Sequence, residues 1–140
     1  MMNFKHLIVA LAAALLCAGA AAQEHGFETS KREMRRNMTV NEWNTDAKTK
    51  TRWLDHVTRY DENGRKVEEI EYAQYGQKWR ATYEYGDNDK IAKEIEFDDR
   101  DKPVVVRKYE YDSMGRKTKQ YNYLPNGKLK TVKVFEYISN

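Results

Sequence analysis

Cysteine is nearly absent from this 140-residue chain: Cys17 is the only one, so no intrachain disulfide can form. The fold must rest on backbone hydrogen bonds and packed side chains instead. Histidine and serine are scarce as well. Beyond the first 22 residues the only histidines are His25 and His56, and the only serines are Ser30, Ser113 and Ser139. An enzyme needs a positioned nucleophile, base or set of metal ligands. His25 falls in an N-terminal lead-in and His56 in a strand, so neither a shared metal nor a catalytic pair is expected. No cofactor is expected either.

Long apolar runs are also missing, with one exception. Residues 7–16 are almost unbroken in apolar character, follow Lys5 and lead to Ala20-Ala21-Ala22. A basic start, a short apolar stretch and small residues at the cleavage position form a secretory signal peptide. The run falls short of the roughly 20 residues that a membrane-spanning helix requires, and no transmembrane segment is expected after processing. The expected organisation is therefore a signal peptide over 1–22, a flexible or short-helical lead-in over 23–37, and a folded domain over 38–140. Export to the periplasm or the extracellular space follows. Leu15 and Leu16 precede Cys17, where a lipoprotein signal would place small residues, which argues against a lipid anchor.

Removing the leader takes away Lys5 and no acid, so 25 − 1 = 24 basic residues stand against 22 acidic ones, a net charge of +2. Lys and Arg alternate with Glu along the chain. Phosphate binding requires a basic stripe, and no nucleic-acid partner is expected.

What the chain does have is a repeat. Aromatic residues end successive segments at Tyr60, Tyr72, Tyr85, Phe97, Tyr111, Tyr123 and Tyr137, spaced by 12 to 14 residues. Between them lie Asn63-Gly64, Tyr75-Gly76, Asn88-Asp89, Arg100-Asp101, Met114-Gly115 and Asn126-Gly127. Gly supplies the positive φ that closes such a turn, and Asp89 and Asp101 are among the few side chains that tolerate it. The unit predicts an all-β fold, a twisted single-layer antiparallel meander of seven or eight strands that can curl into a half-barrel. A closed up-and-down barrel is the alternative. Thr51 to Tyr60 reads as one further strand and Met38 to Trp43 as another, with Asn44-Thr45-Asp46 as their turn. Ser30-x-x-Glu33 is a capping-box pattern that could start a short helix over residues 31–37.

The run Tyr109-Glu110-Tyr111-Asp112-Ser113-Met114-Gly115-Arg116 resembles the YD repeat of RHS proteins, and Tyr60-Asp61-Glu62-Asn63-Gly64-Arg65 is a second good match. The chain is also similar to small exported bacterial proteins with degenerate Tyr-Asp hairpins. The resemblance implies a β-hairpin array. It carries over no catalytic residue, because the repeat has none.

Each strand ends apolar, polar, aromatic, as in Tyr83-Glu84-Tyr85 and Tyr109-Glu110-Tyr111. Strict alternation predicts one face holding Trp79, Tyr83, Tyr85, Tyr109, Tyr111, Tyr121 and Tyr123, with basic neighbours Lys66, Lys93, Arg107, Lys117, Lys119 and Lys133. The opposite face would hold Glu71, Glu84, Glu96, Glu110 and Glu136. The Glu column suggests paired carboxylates for glycoside hydrolysis, but its recurrence in nearly every unit fits a solvated outer face. The acidic loops Asp87-Asn88-Asp89 and Asp98-Asp99-Arg100-Asp101 could take calcium, yet both sit where turns select Asp and Asn. The candidate binding surface is Trp79, Tyr83, Tyr85, Arg107, Tyr109, Tyr111, Lys119, Tyr121 and Tyr123. Stacked rings beside cations bind glycans or proteins, and they equally pack as a core. Two functions follow: an interaction module for a protein or glycan at the cell envelope, using this face or an open sheet edge, or a small-ligand carrier using a barrel interior.

Overall fold

The computed structural model describes residues 31–139; the leader, Cys17, His25 and Ser30 lie outside them. Eight strands follow one another in a single open antiparallel sheet whose spatial order is the chain order. They are β1 (Thr39–Thr45), β2 (Arg52–Tyr60), β3 (Lys66–Ala73), β4 (Gly76–Tyr85), β5 (Ile91–Phe97), β6 (Pro103–Tyr111), β7 (Lys117–Tyr123) and β8 (Leu129–Val134). β1 and β8 are the two edges, so the closed-barrel alternative is not realised. Among the described residues no helix is long and apolar enough to cross a membrane. Residues 31–34 form a single helical turn, and β1 runs two residues further than its aromatic end suggests, to Thr45.

Five hairpins share one turn geometry. In the turn after β6, Asp112 donates its amide to Arg116 O, and Gly115 donates to Asp112 O. The Asp112 carboxylate accepts from the amides of Met114 and Arg116, each at 2.9 Å, and from Arg116 Nε at 2.8 Å. Asp61 repeats the set with Asn63 and Arg65. The closing residue has positive φ at Gly64, Asp89, Asp101, Gly115 and Gly127, with Asp89 at 60° and Asp101 at 63°. Both aspartates thus adopt the left-handed conformation that the pattern demands of them.

One feature of every hairpin from β2 onward was not legible in the spacing. The register slips just before each terminal aromatic, between Arg59/Tyr60, Glu71/Tyr72, Glu84/Tyr85, Glu96/Phe97, Glu110/Tyr111 and Asn122/Tyr123. The partner strand holds one extra residue there, such as Ala92 between Ile91 and Lys93. A β-bulge of this kind inserts one residue on one strand only, and a one-residue change exchanges the two faces for every residue beyond it.

The aromatic pairs therefore alternate between faces, and the one-face expectation is corrected. Tyr83 lies opposite Glu94, which lies opposite Arg107, so these share a face with Tyr109 two residues on. Tyr121 lies opposite Lys108 and Tyr123 opposite Val106, on the other face. Glu71 and Glu96, expected opposite the tyrosines, lie beside Trp79 and Ala81 on the tyrosine face. Lys93 and Lys119 lie opposite Lys108 and Glu110, on the far face.

The sheet has no second layer among the described residues, and its apolar core is correspondingly thin. Val57, Ile70 and Ala81 are its buried apolar residues, with Val57 directly opposite Ile70. The remaining apolar area is covered by long charged side chains lying over rings. Arg80 stacks 3.8 Å above Phe97 while it pairs with Glu68 and Asp101. Its alkyl stem covers the ring while its charge is neutralised.

Candidate functional site

Of the predicted site residues, the structure brings Trp79, Tyr83, Tyr85, Arg107, Tyr109 and Tyr111 to one face, the Trp79 face. Lys119, Tyr121 and Tyr123 are on the opposite one. The centre of the Trp79 face is a row of paired residues: Thr58, Glu69, Ala81, Glu96 and Val105, one from each of β2 to β6. Ala81 is the smallest of them and is 3% exposed. A methyl group between larger neighbours leaves a shallow depression of about 180 Å³, walled by Trp79, Tyr83, Glu69, Glu94 and Glu96.

Every carboxylate around this depression is held by donors of its own sheet. Tyr83 Oη donates to Glu69 Oε1 at 2.8 Å, and Lys66 pairs with the other oxygen. Tyr109 Oη donates to Glu94 Oε2 at 2.6 Å. Arg107 bridges Glu94 at 2.5 Å and Glu96 at 2.8 Å. The indole Nε1 of Trp79 donates to Glu71 Oε2 at 2.8 Å, and Lys78 takes Glu71 Oε1. His56 meets the Trp79 ring edge-on, with centroids 6.3 Å apart.

The electrostatics arise from these contacts. Burial by itself pushes the Glu69 carboxyl up, but the hydrogen bonds from Lys66 and Tyr83 outweigh it and hold the group below its ordinary value. Burial, reinforced by Glu69, raises the Tyr83 hydroxyl far above the usual tyrosine range. Burial and then Glu94 do the same for Tyr109. Hydrogen bonds from Lys78 and Trp79 lower Glu71. Glu69 and Glu71 are thereby held as carboxylates, and Tyr83 and Tyr109 as hydroxyl donors. Such an array can orient a polar partner by hydrogen bonding.

The tyrosine rings on this face are less accessible than a stacking platform requires. Lys66 Nζ lies 5.0 Å from the Tyr83 centroid, Arg65 4.7 Å from Tyr85, and Lys117 3.8 Å from Tyr109. Of the basic neighbours foreseen in the sequence, Lys66 and Lys117 lie as lids on rings, which supports the packing role. Among the described residues no cation covers the Trp79 ring. Sequence reasoning missed Glu69 and Glu94. A signal for them existed: each stands three residues after the first residue of an odd-numbered strand, Lys66 or Ile91. The same position in β7, after Lys117, is Gln120, and there the residue corresponding to Tyr83 and Tyr109 is Phe135. Acid and hydroxyl disappear together.

A second hydrogen-bond series runs along the same face. Tyr85 donates to Lys66 O, Tyr111 to Ile91 O and Tyr137 to Lys117 O, each at 2.8 Å. The ladders to the following strands begin two residues later, at Glu68, Lys93 and Lys119. These hydroxyls therefore satisfy carbonyls that lie beyond the ends of those ladders. Tyrosine is needed there for its oxygen. Phe97, on the other face, ends its strand without one.

Among the described residues no group of three or more His, Cys, Asp or Glu is arranged to hold a metal ion. No family model and no curated protein matches the chain. Among solved structures, a mutant of S. aureus TarM crystallised with fondaparinux, alpha-GlcNAc-glycerol and UDP is similar at 14% identity and a TM-score of 0.31, over 76% of this chain and 23% of that one. A crystal structure of TarM gives 14% identity and a TM-score of 0.32, over 77% and 23%. This chain thus spans about a quarter of their length, and likeness at that level carries no argument about its fold or activity.

Proposed function

We propose that this protein is an exported, non-catalytic binding module that takes a glycan on the Trp79 face. The observation that carries the reading is the half-buried Trp79 ring, on which no cation lies among the described residues, beside the Ala81 depression, with Glu69, Glu94, Glu96 and Arg107 fixed around it. A sugar offers an apolar face and a rim of hydroxyls that both donate and accept. A partly accessible aromatic ring next to immobilised acceptors and donors complements both. The carboxylates are committed to internal partners, which favours recognition over acid–base chemistry. The leader-like residues 1–22 support export to the cell envelope, where glycans are abundant. An open sheet has no interior, which leaves the carrier reading without the cavity it needs.

Array screening against neutral and acidic glycans, followed by calorimetry on any that bind, tests this. Trp79→Ala should reduce affinity at least tenfold in protein that circular dichroism shows still folded at the assay temperature, while Trp43→Ala, at the sheet edge, should bind normally. Silence across the array, or binding indifferent to Trp79→Ala, would overturn the assignment. Capture of a protein segment in place of a glycan would overturn the partner class.

A further inference from the structure

We propose that copies of this chain associate head to tail, the β8 edge of one molecule adding to the β1 edge of the next and continuing the sheet. Among the described residues no strand pairs with the outer side of β1 or of β8, and such open edges template further strand addition. All six residues of β8 are exposed, and the apolar ones are prominent: Leu129, Val132 and Val134 are 44% to 61% accessible. On β1, Trp43 is 52% accessible.

Topology favours this joint. An even number of strands in a meander leaves β1 and β8 running in opposite directions. A second copy placed beside β8 in the same orientation therefore brings its β1 antiparallel, as everywhere else in the sheet. Both faces also continue without inversion. Thr131 and Lys133 of β8 belong to the Trp79 face, as their partners Asn122 and Gln120 do. Val40 and Glu42 of β1 belong to it through Thr58 and His56.

Only every second register keeps the faces aligned, and one of these matches charge as well. With Lys133 opposite Glu42, Val132 falls opposite Trp43, Val134 opposite Asn41, and Thr131 opposite Asn44. An ion pair and an apolar pair then sit on opposite faces of the joint, the cross-strand combinations that stabilise sheets. Pairing β8 with itself would instead bring together Lys130 and Lys133 from two copies with no acid in either strand. Those lysines act as a selector, rejecting an identical edge while accepting β1. The association is heterologous, so it extends unless geometry closes it.

Sedimentation velocity over a range of concentrations tests the proposal, using two single variants at exposed edge positions. Val132→Lys blocks β8 and Trp43→Lys blocks β1. Wild-type protein should form oligomers that grow with concentration, while each variant alone should stay monomeric. An equimolar mixture of the variants should stop at the dimer, because one supplies only β1 and the other only β8. Lys133→Glu and Glu42→Lys should each weaken association at least tenfold, and the double variant should recover it. A wild type that stays monomeric throughout, a Trp43→Lys variant that still dimerises, or a variant mixture that stays monomeric would each overturn the proposal. Glycan binding at Trp79 is measured separately, so the two ideas fail independently.

Discussion

The hydroxyl of Tyr111 donates to the carbonyl of Ile91 across 2.8 Å, two residues before the β5–β6 ladder begins at Lys93. Tyr85 and Tyr137 hold the corresponding carbonyls of Lys66 and Lys117. Tyr85, Tyr111 and Tyr137 are thus backbone fasteners as much as packing groups.

Removing that oxygen should be costly in one ladder and nearly free in the other. Tyr85→Phe and Tyr111→Phe each leave a partly buried carbonyl without its partner, and about 1–3 kcal/mol of stability should be lost. Tyr123→Phe, on the opposite face, should change stability by less than about 0.5 kcal/mol. Urea denaturation of the three variants measures the contrast.

Gly64 and Gly127 close equivalent turns at φ of 70° and 83°, yet their surroundings differ. A Cβ on Gly64 would stand 2.0 Å from the carbonyl oxygen of Arg32, whereas one on Gly127 would meet open space. Gly127→Ala should cost about 1 kcal/mol, the strain of a left-handed residue. Gly64→Ala should cost more and displace the 31–37 segment, which is anchored by Arg32 on Asn63 and Asp89 and by the Asn37 amide on Asp61. Hydrogen exchange at the Asn37 amide should accelerate in Gly64→Ala and stay at the wild-type rate in Gly127→Ala.

The Tyr83–Glu69 hydrogen bond bounds the pH range of stability from both sides. Glu69 is held below its ordinary 4.5, so its contribution is present above that value and disappears as pH falls through the lower folded value. Tyr83 is raised above its ordinary 10.0, so its contribution is complete below about pH 10 and disappears as pH climbs toward the folded value. Urea midpoints across pH should form a plateau with an acid and an alkaline limb. Tyr83→Phe should shrink the alkaline limb, which Tyr109 shares, and Glu69→Gln should shrink the acid one.

Arg107 neutralises two carboxylates at once, Glu94 and Glu96. Arg107→Met should leave neighbouring anions uncompensated and destabilise the sheet by about 2 kcal/mol, in the range of a broken half-buried ion pair. Adding Glu94→Gln should recover part of the loss, a coupling that a double-mutant cycle reads directly.

Strands and turns were readable in the sequence because short-range chemistry dictates them. Asp61 and Asp112 fold their own turns, and Asp89 and Asp101 stand where positive φ is required. The assignment of faces was not readable in the same way. Ala92 and Thr118 are the extra residues of two hairpins, and nothing in their chemistry distinguishes them from ordinary strand residues. Period-two counting passes through them and places Tyr121 beside Tyr109 when the register places it behind. Long-range contacts were equally hidden. Arg32 and Asp89 lie 57 residues apart, and Arg107 gathers two glutamates from a neighbouring strand. Trp79, Tyr83, Tyr85, Arg107, Tyr109 and Tyr111 nevertheless fall on one face together, because the two bulges between β4 and β6 restore the phase that each one shifts.

The bulge in each hairpin also sets how such a molecule can grow. Duplicating one strand with its turn would carry an aromatic pair to the wrong side and strand its hydroxyl without a carbonyl. Duplicating two restores both, and Tyr60, Tyr85, Tyr111 and Tyr137 are spaced by 25, 26 and 26 residues. The structural module is a pair of strands, and adding strands in that increment would lengthen the sheet without redesigning either surface.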